Sequence, residues 1–276
     1  PAGFADEIAA GRKVGVQVIV DGSDASTATL AMGYARVVAL TWTQSVNVEA
    51  GQRQGSAVLQ PPIDLRPRVW FNADMESRNF IIPGLIAVIM MVVAALLTSL
   101  TIAREWEQGT MEQLISTPVR ARELVLGKLL PYFAIGMFDV AIAVTMGEFL
   151  FHVPLRGNLA LVFAMAAIFL GGALSMGLVI SILTRNQLLA SQVAMVATFL
   201  PSFLLSGFMY SISNMPTFIQ VITHVVPARY FIALLRGIYL KGLGLEFLAV
   251  EAIVLALFGA VVIAVATLKF RKQVTV

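Results

Sequence analysis

Residues 79–103 read NFIIPGLIAVIMMVVAALLTSLTIA, and residues 104–128 read REWEQGTMEQLISTPVRARELVLGK. The first stretch has 25 residues and no charged side chain. A bilayer core of about 30 Å is spanned by about 20 apolar helical residues, so this stretch predicts a transmembrane helix. The second stretch is too charged to stay in lipid. We therefore expect it to lie at the membrane surface, where a partner protein could bind it.

The composition of the whole chain is that of a membrane protein. Of its 276 residues, 58% are hydrophobic and 13% are charged, whereas about 25% of the residues in a soluble domain are charged. The net charge is only +3, and no basic patch is interleaved with aromatic residues, so nucleic acid is not an expected partner. The chain has no cysteine, and its two histidines are far apart. We therefore expect no metal and no cofactor on this chain.

The expected fold is mainly α, a polytopic helical membrane protein with a small α/β domain in front of it. Residues 79–276 form the predicted transmembrane domain. In the long segment at residues 210–245, Pro216 and Pro227 interrupt an amphipathic pattern, which favours two interfacial or re-entrant helices. The sequence predicts five membrane spans, at residues 79–103, 129–151, 159–183, 188–209 and 247–268.

Residues 1–78 predict part of a small α/β domain. Residues 14–20 are apolar and β-branched, as in a strand, and residues 66–72 resemble a second strand. Residues 25–43 favour a helix, and residues 51–62 a loop. With fewer than 80 residues, the core of this domain would be marginal by itself.

The distribution of lysine and arginine predicts the orientation in the membrane. With residues 104–128 inside, the inside holds eight lysines and arginines and the short outside loops hold four. The positive-inside rule then predicts a periplasmic N-terminal domain and a cytoplasmic C-terminus. Because no signal peptide precedes this external domain, we expect one further transmembrane helix before Pro1, six in the intact protein.

Residues 104–128 carry signals for the start and end of helices. Gly109 fits the position just after a helix C-terminus. Thr110 and Gln113 have the spacing of a capping box, and Thr117 with Pro118 predicts the cap and first residue of the next helix.

The short helix predicted between these signals has one apolar face. Met111, Leu114 and Ile115 follow the i, i+3, i+4 spacing, while Glu112 suits the first turn. Such a helix could bind a partner, or it could be an ordinary loop lying on the lipid headgroups. The residues themselves leave both alternatives open.

The pattern E-x-x-x-G-T-x-E-x-L-x-x-T-P at residues 105–118 resembles the first cytoplasmic loop of type-2 ABC exporter permeases, the membrane subunits of bacterial ATP-driven efflux pumps. The resemblance extends over essentially the whole chain. Further matching positions are residues 20–24, 70–72 and 127–132, and also Ser77, Phe80, Pro83, Gly84, Pro227, Tyr230, Phe231, Arg236 and Gly242.

The resemblance implies a mechanism. Two permeases, identical or different, would pair in the bacterial cytoplasmic (inner) membrane and bind two ABC ATPase subunits. They would move a drug- or lipid-like compound outward. The coupling helix that docks on the ATPase would be formed by Glu105, Gly109, Thr110, Met111, Glu112, Leu114, Ile115 and Pro118. No G-x-x-x-x-G-K-[ST] motif occurs in this chain, so the partner would bind ATP and this subunit would not be an enzyme.

Asp139 lies near the middle of the second predicted span. A charge at the bilayer centre costs about 2.5–3.5 kcal/mol on insertion scales. Asp139 could therefore line a translocation path, as a contact for a cationic substrate or as a proton relay. It could instead be a protonated or hydrogen-bonded contact between helices.

Two other functional classes compete with the exporter. An ion-coupled secondary transporter using Asp139 predicts acidic residues on several spans and an inverted repeat, and the sequence has neither. A membrane enzyme would need a nucleophile, a base and an orienting residue, and no such set stands out.

Overall fold

The computed structural model describes Gly3, Glu7, residues 14–54 and residues 63–272. Within its helices and strands, the side chains at positions 46–54, 63, 115 and 271–272 lie outside this description. The chain forms two compact units, Pro1–Phe80 and Ile81–Val276.

The first unit is a strand–helix–strand motif. Strands β1 (Val14–Asp21) and β2 (Ile63–Trp70) pair in parallel, with Val14 opposite Ile63 and Asp21 opposite Trp70. Helix α1 (Ala25–Gln54) connects them. The Asp24 carboxylate accepts hydrogen bonds from the Thr27 amide (3.2 Å) and hydroxyl (2.9 Å), which stabilises the start of α1.

Three elements predicted for this unit have different bounds in the structure. Helix α1 continues to Gln54 instead of ending at residue 43, and β2 begins at Ile63 instead of residue 66. The predicted loop at residues 51–62 is helical as far as Gln54, and its residues 55–62 lie outside the described part. The predicted helix ended too early because most of residues 44–54 are polar, and polarity alone does not end a helix.

An asparagine pair forms the turn that leads into helix α2 (Ser77–Glu107). Asn72 is buried. Its side-chain amide donates to the Glu76 carbonyl (3.0 Å) and accepts from the backbone amide of Glu76 (3.2 Å). The side-chain amide of Asn79 also donates to Asn72 Oδ1 (3.0 Å). The backbone groups of this turn are therefore satisfied by side chains.

The second unit is helical and confirms a polytopic membrane protein. In the described residues, five helices are long and apolar enough to cross a membrane. These helices are α2, α4 (Ala121–Phe149), α5 (Leu159–Thr184), α6 (Gln187–Leu204) and α9 (Leu245–Lys272). A short helix, α3 (Thr110–Ile115), lies between α2 and α4.

The ends of these helices differ from the predicted spans where a helix extends beyond its apolar run or ends before it. Helix α4 begins at Ala121, eight residues before the apolar run at 129, because its first two turns are charged but still helical. Helix α6 ends at Leu204, although the apolar run continues to residue 209. Gly207 has φ +82° in the bend that follows, a conformation that favours glycine.

The segment between α6 and α9 contains the two predicted short helices. Helix α7 (Thr217–Thr223) meets α8 (Pro227–Arg236) and its π-helical continuation (Gly237–Lys241) at 85°. Pro227 occupies the first turn of α8, where its missing N–H has no cost.

Helix α5 is the centre of this unit, and two glycines let its neighbours approach closely. A Cβ on Gly177 would lie 2.3 Å from the Ala95 carbonyl of α2, and a Cβ on Gly172 would lie 3.3 Å from Gly259 Cα of α9. Phe169 of α5 stacks on Phe231 of α8, with ring centroids 4.2 Å apart. Small residues at such seams are typical of helix packing in membranes.

Candidate functional site

The connecting segment, residues 104–128, is a helix end, a tight turn and a short helix. Helix α2 continues through Arg104 to Glu107, and Gly109 has φ +69°. The prediction that this glycine follows a helix C-terminus is confirmed. Side chains rarely adopt this φ, so the turn requires glycine.

The predicted helix caps in this segment were wrong. The Thr110 hydroxyl donates to the Glu105 carbonyl (3.3 Å) and makes no cap bond to α3. The Thr117 hydroxyl donates to the Leu114 carbonyl (2.6 Å), so it ends α3 and does not begin α4. Pro118 precedes α4, which begins after Arg120, whose amide donates to the Glu123 carboxylate (3.0 Å). A hydroxyl can satisfy either a carbonyl behind it or an amide ahead of it, and the sequence spacing does not distinguish the two.

The apolar ridge of α3 is divided between the core and the surface. Met111 is 2% exposed and packs in the hydrophobic core of the unit. Leu114 is half-buried, and Glu112 is exposed. The side chain of Ile115 lies outside the described residues. One face of α3 is therefore anchored by Met111, while Glu112 and Leu114 remain accessible.

An ion pair connects the end of α2 with α4. Lys128 Nζ donates to the Glu105 carboxylate, and their side chains are 29% and 17% exposed. Such a partly buried pair is shielded from water more than a surface pair. Glu105, which the resemblance assigned to the ATPase interface, thus has a partner within its own chain.

A second polar contact connects the end of α2 with the start of α6. The Glu107 carboxylate accepts from the Gln187 amide (2.9 Å) and from its side-chain nitrogen (2.5 Å). A carboxylate is favoured there because backbone N–H groups at a helix N-terminus are unpaired and partially positive. The Arg185 guanidinium also lies 4.6 Å from the centre of the Trp106 ring, within the range of a cation–π contact.

Sequence reasoning did not find the Glu107–Gln187 and Trp106–Arg185 contacts, because the partners are about 80 positions apart in the chain. One charged residue in each contact, Glu107 or Arg185, was the available signal. Nothing in the local sequence shows which residue is its partner. Once α2, α5 and α6 pack side by side, however, the end of α2 and the α5–α6 turn lie at the same level.

A second feature is the α2–α4 groove, a cavity of about 270 Å³ between α2 and α4 with α5 beneath it. Its lining is apolar except for Asp139 and Tyr132 of α4. Asp139 is exposed and, in the described part of the chain, has no hydrogen-bond or ion-pair partner. The α2 wall consists of Ile82, Leu85, Ile86, Ile89, Met90, Val93, Ala94 and Leu97.

The described residues do not bring together a metal site. No group of three histidine or acidic side chains with metal-binding geometry occurs among them. What the structure does bring together is a surface helix connected to several spanning helices and an apolar groove that contains a carboxylate.

Residues 1–268 match the profile of the family described as ABC-2 family transporter protein. This match covers nearly the whole chain, including the connecting segment and the groove.

The chain is also similar to three named proteins of Escherichia coli (strain K12). It is 43% identical over 243 residues to the probable multidrug ABC transporter permease YbhS, covering 88% of this chain and 63% of that protein. It is 30% identical over 249 residues to the probable multidrug ABC transporter permease YbhR, covering 89% and 65%. It is 26% identical over 280 residues to the inner membrane transport permease YhhJ, covering 99% and 72%. The chain thus spans a little under two thirds of the length of YbhS and YbhR.

Proposed function

This chain belongs to the ABC-2 family of transporter proteins, the type-2 ABC permeases, and we propose that it serves as the membrane subunit of an ATP-driven exporter. A second permease and a separate pair of ATPase subunits complete the machine. The exported compound is drug- or lipid-like and leaves across the bacterial inner membrane. The names of YbhS, YbhR and YhhJ support this class of function and this membrane.

The observation that carries the proposal is the attachment of α3. This short helix exposes Glu112, while the segment around it is fixed to spanning helices by side-chain contacts. The Glu105–Lys128 pair holds α2 to α4, and the Glu107–Gln187 contact holds α2 to α6. A force on α3 is therefore delivered to three spanning helices together.

The proposed roles of the segment follow from these contacts. Leu114 and Glu112 meet the ATPase, Leu114 as an apolar contact and Glu112 as a charge partner. Met111 fixes α3 to the hydrophobic core of the unit, and Glu105 fixes α2 to α4. Gly109 supplies the turn that lets α3 leave the axis of α2.

Three further residues of the predicted docking set have smaller roles in the proposal. Thr110 closes the turn after α2 through its bond to the Glu105 carbonyl. Pro118 lies in the link to α4. Ile115 remains a candidate ATPase contact on the sequence pattern alone.

The Lys and Arg bias supports placing α3 in the cytoplasm, where ATP is available. The contact between Glu107 and Gln187 supports placing the end of α2 and the α5–α6 turn on one side of the membrane, as the Lys and Arg count assumes. The N-terminal unit is then periplasmic and the C-terminus cytoplasmic. In the translocation path, Asp139 contacts the transported compound.

The proposal is tested by purifying the full-length protein from its host and assaying for an associated ATPase, with Leu114→Arg beside wild type. Leu114 is only half-buried, so arginine should leave the membrane fold intact while opposing an apolar contact. The matched control is Leu245→Arg, which adds the same charge at an exposed leucine. Three spans, α4, α5 and α6, separate Leu114 from Leu245 at the start of α9, so the two leucines lie at opposite membrane faces.

We expect the ATPase to accompany wild type and Leu245→Arg and to be lost with Leu114→Arg. Equal capture by both variants would overturn the docking role of α3. Failure of all three correctly inserted proteins to capture an ATPase would overturn the exporter assignment itself.

A further inference from the structure

The position of Asp139 in the α2–α4 groove defines a ligand site of particular chemistry. Asp139 is the single charged residue in the lining, and among the described residues it makes no ion pair or hydrogen bond. An unpaired carboxylate surrounded by hydrocarbon is unfavourable. A cation beside it would offset that cost.

The side chains around Asp139 leave room for such a cation. Gly136 and Ala143 lie about one helical turn before and after it on the same face of α4, and both line the groove. Gly136 also permits close packing of the groove floor, since a Cβ there would lie 2.6 Å from Leu170 Cδ2. The two groove-lining residues one turn from Asp139 therefore have side chains no larger than a methyl group.

The depth of Asp139 distinguishes between possible cations. It lies eleven residues after Lys128, which marks the polar end of α4, and ten residues before Phe149, the last residue of the helix. At 1.5 Å per residue these separations are about 16 and 15 Å. The ammonium of a phospholipid stays at the bilayer surface and cannot reach this level without leaving the interface. A cation carried by an apolar body can.

The opposite wall of the groove suits such a body. Along α2 it presents aliphatic and methionine side chains, among them Ile89, Met90 and Val93. Methionine adapts to apolar ligands of varied shape. A cavity of about 270 Å³ is close to the lower end of the range for small-molecule sites, about 300 Å³.

We propose that the α2–α4 groove binds amphipathic organic cations, with the apolar body against α2 and the positive centre beside the Asp139 carboxylate. This inference rests on the proposed function, in which the groove belongs to the translocation path. It defines the substrate class of the exporter as lipophilic monocations.

The test uses two ions of nearly the same shape and opposite charge, tetraphenylphosphonium and tetraphenylborate. Binding of each is measured by scintillation proximity on the immobilised full-length protein without ATPase. We expect wild type to bind the phosphonium in preference to the borate. Asp139→Asn, which keeps the size and removes the charge, should weaken phosphonium binding at least tenfold without weakening borate binding.

Two further variants keep the result interpretable. Glu148→Gln removes an exposed carboxylate of the same helix outside the groove lining and should change phosphonium binding less than twofold. Ala143→Trp fills the groove while retaining Asp139, and should weaken phosphonium binding at least tenfold.

Phosphonium binding that is insensitive to both Asp139→Asn and Ala143→Trp would overturn the site, as expected if another helix or a lipid fills the groove. Equal binding of both ions by wild type would overturn the charge assignment. Because no ATPase is present, failure here leaves the ATPase-capture result standing, and failure of that capture leaves this site standing.

Discussion

The connecting segment and the α2–α4 groove differ in whether their acidic side chains have partners. In the segment, Glu105 and Glu107 each have a partner on another helix. In the groove, Asp139 has none among the described residues. Paired charges hold elements in one arrangement, whereas an unpaired charge in hydrocarbon favours a ligand that neutralises it. Helix α2 belongs to both regions, so movement of the segment reaches the groove directly.

The largest expected effect comes from separating α2 from α5, which would disrupt both regions. In Gly177→Val the new Cβ would lie 2.2 Å from Thr98 Oγ1 and 2.3 Å from the Ala95 carbonyl oxygen. Overpacking against backbone should destabilise the protein by about 3 kcal/mol or more. Fluorescence-detected size-exclusion chromatography should show aggregated or degraded protein.

Gly171→Val is the matched control for this substitution. Gly171 lies on the same helix, six residues earlier, and its added Cβ would meet no described atom within 4 Å. This variant should elute as wild type does. Normal folding of Gly177→Val would contradict the close seam between α2 and α5.

Reversing one charge in the segment should have the next largest effect. Glu105→Lys places two positive charges together at partly buried positions, so α2 and α4 should separate at this level. We expect cellular export, measured as resistance or dye efflux, to fall about tenfold.

Glu105→Lys combined with Lys128→Glu restores an ion pair with its direction reversed and should recover most of the lost export. If Glu105 instead meets the ATPase, the double variant will stay as inactive as the single one. The double variant therefore separates an internal clamp from a docking contact.

Removing the unpaired charge should have a moderate effect of opposite sign. Asp139→Asn removes the cost of a carboxylate in hydrocarbon, so thermal stability should rise by about 1 kcal/mol or more, a few degrees in melting temperature. Glu105→Gln removes a paired charge and should lower it. A lower melting temperature in both variants, measured by differential scanning fluorimetry, would mean that Asp139 has a stabilising partner.

The smallest effect is expected at the turn before α3. Gly109→Ala forces alanine to φ +69° and should destabilise the protein by about 1 kcal/mol. Gly127→Ala lies in the regular helix α4, where an added Cβ meets no described atom within 4 Å, and should be neutral or stabilising. Equal melting temperatures for the two variants would contradict the required left-handed turn.

The sequence was sufficient for the features that depend on local chemistry. Apolar runs predicted the spanning helices, and Gly109 marked the end of α2 because its conformation excludes most other residues. It was insufficient where one residue has two possible partners. Thr110 and Thr117 could bond forward or backward, and their spacing fits both.

The candidate site required the fold in addition. The ridge of α3 could face either the core or a partner, and packing decides that Met111 faces the core. The Glu107–Gln187 contact depends on the arrangement of α2, α5 and α6. Asp139 was identified from its depth in the sequence, but the groove around it is formed by three helices and no single segment encodes it.

The Ser181 side chain of α5 forms two hydrogen bonds with the backbone of α2. Its hydroxyl oxygen accepts from the amides of Ile102 (3.0 Å) and Ala103 (2.8 Å), both buried in α2. If α2 left α5 at this level and water entered, both amides would lose that acceptor and become more open to exchange. The rate of deuterium uptake at residues 102 and 103 should therefore report how often the two helices separate.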